Sequence, residues 1–257
     1  MRTSIVLPLA IAVVIGACGG TPASTPTGNA NTPSSSAPSS AAASPASVAS
    51  PGTEGSDLAV ARIESIPSPC ELADGLGFVW VTSYSRDEVD AIDPASNAVI
   101  RTFAVPQGPC GVAVGFRSLW VSGGSRTVSR VDPVSGKQQA AIPIPGEIYD
   151  VQVGPDAVWA SDRSNGSLVR IDPATNTAIG TYRVGASADG FRIDDGAIWV
   201  ASDRDSALIR LNPADGSVVA TIAVGTKPNW VAIADEAVWV ENTGDGPVSR
   251  IDPATNA

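Results

Sequence analysis

The sequence predicts an all-β domain made of repeated four-stranded sheets, and three observations carry that reading. Five tryptophans, Trp80, Trp120, Trp159, Trp199 and Trp239, stand 40, 39, 40 and 40 residues apart. Each is followed twelve or thirteen residues later by Asp-Pro or Asn-Pro, at Asp93, Asp132, Asp172, Asn212 and Asp252. Between these marks, short alternating apolar runs are separated by turn-forming residues. A period near forty with four strands per unit is the signature of a β-propeller blade.

The third unit shows the elements in order. Asp150–Val153 alternates as a first strand and Gly154-Pro155-Asp156 is a turn. Ala157–Ser161 is a second strand, Leu168–Ile171 a third, and residues 178–184 a fourth after the Asp172-Pro173-Ala174-Thr175-Asn176 turn. Eight residues before each tryptophan stand Leu72, Val112, Val151, Phe191 and Val231, expected to pack between blades. The repeated tryptophans are expected to fill the wedge between adjacent sheets. The aspartates before proline are expected to accept backbone amides two residues on and to pin the turn, a role Asn212 fills without charge.

About five blades occupy residues 57–257. Residues 61–66 match 100–105, a fourth strand without the preceding three, while a fourth strand is due after Asp252. Pairing of the first segment with the last three strands would close the ring and remove two open edges. The alternative is a shortened copy of a longer propeller.

The N-terminus reads as an export signal. Arg2 precedes an apolar run from Ile5 to Ile15, followed by Gly16, Ala17 and Cys18. This run is too short for a bilayer core that needs ~20 residues. Ile15-Gly16-Ala17-Cys18 resembles the bacterial lipobox, which implies a signal peptide over residues 1–17 and lipidation of Cys18. Residues 18–56, rich in Ser, Thr, Pro and Ala, are expected to form a disordered tether. A flexible chain of this length spans roughly 35 Å, enough to hold a domain clear of lipid. The expected location is therefore the outer side of a bacterial membrane, with contact through the lipid anchor only.

The formal net charge of −10 opposes nucleic acid or anionic lipid as a charge-driven partner. No histidine occurs in the 257 residues, and no CxxC pair, GxSxG elbow or phosphate loop is present, so no cofactor or metal is expected.

Positions shared by every unit are packing positions, so candidate sites are those that differ. Ten residues before each tryptophan the series is Cys70, Cys110, Tyr149, Asp189, Asn229, and one step later Glu71, Gly111, Asp150, Gly190, Trp230. These residues should ring the mouth of the central channel. Tyr84, Arg86, Arg126, Arg163 and Arg204 join them from loops between second and third strands. A mouth with Trp230, Tyr149 and several arginines suits a protein, peptide, sugar or small anionic ligand. Cys70 and Cys110 occupy equivalent places in adjacent blades, and in an oxidising compartment they are expected to form a disulfide, with two reduced thiols as the alternative.

Residues 109–114, then Leu119-Trp120-Val121, then Val128-Ser129-Arg130-Val131-Asp132-Pro133, resemble the YVTN-type repeat and are similar to repeats of the streptogramin B (virginiamycin B) lyase family. That resemblance covers nearly all of residues 57–257. It implies a seven-bladed lyase using a catalytic histidine and magnesium. The histidine has no counterpart here, so the activity is not carried over. The reading is a non-enzymatic, membrane-tethered binding module. The alternative is a lyase or hydrolase working through carboxylates such as Glu71, Asp150 or Asp189 at the channel mouth.

Overall fold

The computed structural model describes residues 61–63, 66–106, 108–124, 126–194 and 196–257. The segments expected to be a signal peptide and a tether, with Cys18 between them, lie outside these residues. The described domain is all-β, with nineteen strands and one short 3-10 turn at Asp203–Asp205. No helix among the described residues is long and apolar enough to cross a membrane.

Five antiparallel sheets follow one another in chain order as propeller blades. Blade 1 comprises β1 (Pro69–Gly75), β2 (Phe78–Ser83), β3 (Glu88–Asp93) and β4 (Ala98–Ala104). Blade 2 comprises β5 (Pro109–Gly115), β6 (Ser118–Gly123), β7 (Thr127–Val131) and β8 (Gln138–Pro143). Blade 3 comprises β9 (Ile148–Val153), β10 (Val158–Asp162), β11 (Ser167–Asp172) and β12 (Thr177–Arg183). Blade 4 comprises β13 (Phe191–Ile193), β14 (Ile198–Ser202), β15 (Ala207–Leu211) and β16 (Val218–Ala223). Blade 5 has three described strands, β17 (Pro228–Ala234), β18 (Ala237–Asn242) and β19 (Val248–Ile251). Residues 61–63 and 66 adopt no strand, and 64 and 65 lie outside the described residues, so the expected fourth strand is not part of the described sheet.

The tryptophans do the packing assigned to them. Trp80, Trp120, Trp159 and Trp199 are at most 1% exposed. Each sits in a cluster that joins its own blade to the next, as Trp120 does with Val151, Val158, Val169 and Ile171 of blade 3. A buried indole must also satisfy its N–H. Trp80 and Trp120 donate to the carbonyls of Gly75 and Gly115, both at 3.1 Å, and Trp199 donates to Asp194 Oδ2 at 3.1 Å. Arginines close the seam at the outer edge. Arg130 and Arg210 lie over the rings of Trp120 and Trp199. Their Nη1 groups donate to the carbonyls of Pro173 and Pro253 in the following blade, at 2.6 and 2.8 Å.

The Asp-Pro turns are pinned as expected. In all five, the amide two residues on donates to the side-chain oxygen: Ala95 to Asp93, Val134 to Asp132, Ala174 to Asp172, Ala214 to Asn212, and Ala254 to Asp252, between 2.8 and 3.1 Å. Donors in these turns, first the Ser96 hydroxyl at Asp93, the Ser135 amide at Asp132 and the Ala174 amide at Asp172, favour the ionised acid and hold these three carboxyls below their ordinary values.

Two terminal positions depart from the repeat. Val112, Val151, Phe191 and Val231 are buried, but Leu72 is 50% exposed because no described blade covers that face of blade 1. Trp239 is only half-buried because no described blade covers the opposite face of blade 5. Trp120→Ala is expected to cost ~3–5 kcal/mol, the range for deleting a buried aromatic. Trp239→Ala should cost clearly less, and chemical denaturation of the two variants checks the difference.

Candidate functional site

The inner strands carry the site, and an irregularity in them aims its residues. In β1, β5, β9 and β17 the pairing register slips by one residue before the tryptophan-facing part of the strand. The extra residue belongs to the pairs Cys70-Glu71, Cys110-Gly111, Tyr149-Asp150 and Asn229-Trp230. A β-bulge re-aims side chains from their strand's alternation, which is how these unit-specific residues come to meet residues of other blades.

Glycine alternates with bulk at these positions for steric reasons. A Cβ on Gly111 would crowd the Val151 amide and Asp150 Cα, and one on Gly190 would collide with the Asn229 carbonyl and the Trp230 ring. The two cysteines, with Cα atoms 5.0 Å apart, form a disulfide between blades 1 and 2.

Two clusters result. In the first, Glu71 and Asp150 converge on Arg192 and Gln152. Arg192 Nη1 lies 3.2 Å from Asp150 Oδ2 and Nη2 lies 3.5 Å from Glu71 Oε1. Gln152 Nε2 donates to Asp150 Oδ1 at 3.0 Å and reaches Glu71 Oε1 at 3.5 Å. Each acid also accepts an amide from the following blade: Val112 N–H on Glu71 at 3.2 Å and Phe191 N–H on Asp150 at 3.1 Å. Glu71, Gln152, Arg192 and Asp74 line a cavity of about 270 Å³ with apolar residues of β1, β5 and β9. Burial, then the adjacent Asp150 charge, holds Glu71 well above its ordinary value. Burial also raises Asp150, against the opposing pull of Arg192.

The second cluster spans blades 3, 4 and 5. Tyr149 OH donates to Asn229 Oδ1 at 2.8 Å, and its ring lies 5.5 Å from that of Trp230. Arg163 stacks over Tyr149 at 5.1 Å and Arg192 over Trp230 at 5.8 Å, so two guanidinium groups flank the aromatic pair. Asp189, fully buried, orients Arg163 through a 2.7 Å Nε–Oδ1 charge contact that lacks hydrogen-bond alignment. Its Oδ2 accepts Ser187 Oγ and the Asp203 amide. Burial raises the Tyr149 hydroxyl, partly offset by the Asn229 bond and the Arg163 charge.

Of the predicted residues, Glu71, Tyr149, Asp150, Arg163, Asp189, Asn229 and Trp230 thus come together. Trp230 is packed against Tyr149 and Gly190 and is only half-exposed, not a free ring. Tyr84 is 59% exposed and lies against Gly108, with Arg86 in the same loop. Arg126 lines a separate cavity of about 310 Å³ with Gly123, Gly124, Glu147 and Ile148. Arg204 donates to the Ala186 carbonyl. Sequence reasoning missed Gln152 and Arg192, although a signal existed. Seven residues before each tryptophan the series is Ala73, Ala113, Gln152, Arg192, Ala232, so two units break an alanine pattern at the cluster.

The magnesium implied by the family resemblance does not fit these residues. Among the described residues no three His, Cys, Asp or Glu side chains are placed to hold a metal ion. The Glu71 and Asp150 oxygens are already occupied by protein donors.

Because folding raises the Glu71 and Asp150 pKa values, the folded state binds more protons than the unfolded one above the unfolded values of 4.5 and 3.8. Stability from this pair therefore falls as pH rises through the window between the unfolded and folded values. Glu71→Gln keeps one acceptor oxygen and puts an NH2 donor in place of the other, much as protonation puts a hydroxyl donor there. It should be more stable than the unsubstituted protein at neutral pH, with the difference shrinking as pH falls into that window. Urea midpoints across pH check this, and equal midpoints throughout would contradict it.

No protein-family model matches the chain, and no curated protein matches it by sequence. Among solved structures, hydrazine synthase from Kuenenia stuttgartiensis matches at a TM-score of 0.60 and 14% identity, covering 77% of this chain and 69% of that one. A streptogramin B lyase structure matches at a TM-score of 0.52 and 17% identity, covering 72% of this chain and 84% of that one. At such identities each likeness shows the fold alone. The chain is a β-propeller repeat protein similar in fold to streptogramin B lyase.

Proposed function

We propose that the protein is a lipid-anchored, extracytoplasmic propeller that binds a ligand or protein partner at its channel mouth. The observation that carries this reading is the Tyr149–Trp230 pair between Arg163 and Arg192. All four are unit-specific residues and come from three blades, so a rigid scaffold holds them in place. Stacked aromatics flanked by guanidinium groups suit a ligand with a flat or apolar body and anionic or polar edges. The anchor rests on Ile15-Gly16-Ala17-Cys18 and on the tether composition.

One observation favours a second reading, lyase or hydrolase chemistry. Two buried carboxylates with raised pKa values converge on Arg192 and Gln152, and one of them, Glu71, lines a cavity, as a member of an acid and base pair would. Weighing against it, both acids accept amides from neighbouring blades and share one arginine, the arrangement of inter-blade clamps. Opening of a streptogramin B depsipeptide by the protein, abolished in Glu71→Gln, would favour the second reading over the first.

For the binding reading, a thermal-shift panel of peptides, sugars and small anions should contain compounds that raise Tm. Saturation at about a hundredfold over Kd adds about 2.7 kcal/mol. Trp230→Ala should remove that shift at a smaller stability cost than Trp120→Ala. A panel without effect, or a shift that survives in Trp230→Ala, would count against the mouth as the site. Cys18→Ser should abolish fatty-acid labelling and move the protein from the membrane fraction if the anchor is as proposed.

A further inference from the structure

The cavity beside Glu71 differs in chemistry from the aromatic mouth. Its wall comes from four inner strands, β1, β5, β9 and β13, each packed on the next within the chain. Where blades 3 and 4 carry the long side chains of Gln152 and Arg192, blades 1 and 2 carry Ala73 and Ala113 at the same point of the repeat. All four line the cavity, and the two short side chains leave about 270 Å³ of space. Val112, Val114 and Val153 make much of the remaining wall apolar, and neither Tyr149 nor Trp230 belongs to it.

The charges of this cavity do not balance. Arg192 Nη1 donates to Asp150 Oδ2 at 3.2 Å and to the Phe191 carbonyl at 2.7 Å, so the guanidinium and Asp150 form the closer pair. Glu71 is left over, although it is only 7% exposed. Its Oε2 accepts the Val112 amide at 3.2 Å. Its Oε1 is reached only by Arg192 Nη2 and Gln152 Nε2, both at 3.5 Å, the outer limit of a hydrogen bond. A carboxylate oxygen with two such distant donors can accept a closer one. Gln152 directs its Nε2 to the two acids, while its side-chain oxygen accepts no hydrogen bond among the described residues. Asp74 adds a second acid to the lining. The cavity thus lacks donors and positive charge, and a primary ammonium group supplies both.

We propose that this cavity binds a small aliphatic primary amine. Its ammonium group donates to Glu71 Oε1 and to the Gln152 side-chain oxygen, and its hydrocarbon part lies against Ala73, Ala113 and Val153. The pair requires ionised Glu71, so the ammonium takes the place of a proton. The protonated amine enters from solution, the Glu71 proton leaves to the buffer, and no other bond changes. Affinity therefore rises with pH through the range in which folded Glu71 titrates, which burial and Asp150 hold above the ordinary value. The other charged groups around Glu71 are Asp74 on its own strand, Asp150 on β9 and Arg192 on β13, while β2 and β5 contribute none. The site shares Arg192 with the mouth but neither of its rings.

Calorimetric titration of the full chain in detergent with n-butylammonium, n-butanol and n-butyrate tests this. Butylammonium alone is expected to bind saturably, more tightly at mildly alkaline than at mildly acidic pH, with release of a proton to the buffer. Glu71→Gln, the more stable form at neutral pH, should weaken binding by about tenfold or more, as loss of one charge-assisted hydrogen bond does, and abolish the proton release. Nitrogen-15 spectra during the titration should show movement of the Val112 amide and the Gln152 side-chain amide. Butanol or butyrate binding as tightly as the amine would overturn the proposal, as would undiminished binding in Glu71→Gln. Failure of butylammonium to saturate, or shifts confined to Tyr149 and Trp230, would overturn it too, the latter placing the amine at the mouth instead.

Discussion

Everything in this domain depends on one repeated contact, the insertion of a tryptophan from one sheet against the aliphatic first, second and third strands of the next. A single four-stranded sheet of this sequence has no core of its own. Its apolar residues project from both faces, and each face becomes an interior only when a neighbour covers it. Trp120 therefore belongs energetically to two blades at once, through Val151, Val158 and Ile171 as much as through Val128 and Ile142. At Trp120 and Trp199 the arginine over the ring and the proline carbonyl beyond it add a polar latch at the solvent edge, where water would otherwise reach the seam.

This way of building a core leaves the inner strands free to vary. Their packing is carried by the position eight residues before each tryptophan, while the two residues before that position sit in bulges and escape the strand alternation. Evolution of a site on such a scaffold needs no change in the blade core. The same freedom explains why Glu71 and Asp150 combine two roles. Each clamps the following blade through a backbone amide, and together they place unbalanced negative charge in the channel beside a single arginine. Desolvation of that charge outweighs Arg192 in setting the direction of both pKa shifts.

Much of the site was legible, but unevenly. Tyr149, Asp189, Asn229 and Trp230 announced themselves by breaking a series, and the structure brings them to one end of the channel. Arg192 and Gln152 broke a series too, against alanine, three positions further along, where alternation alone gave no reason to look into the channel. Tyr84, Arg86, Arg126 and Arg204 were named because they lie on loops of the same face. Sharing a face does not mean sharing a cluster: loop length and backbone conformation decide where such side chains end, as with Arg126 at φ 54°.

The spacing of tryptophans and Asp-Pro turns was sufficient for the blades, their strand order and the turn chemistry, because each of these depends on contacts within one unit or one register. The fate of Leu72, Trp239 and Val248 could not be read that way. They obey the repeat in sequence, yet their burial depends on whether a neighbouring sheet stands against them. That is a property of the assembled blades, as is the meeting of Glu71, Asp150 and Arg192 from three inner strands. Periodicity describes one unit and its nearest neighbour, whereas charge convergence across the channel requires the curvature that all the blades together produce.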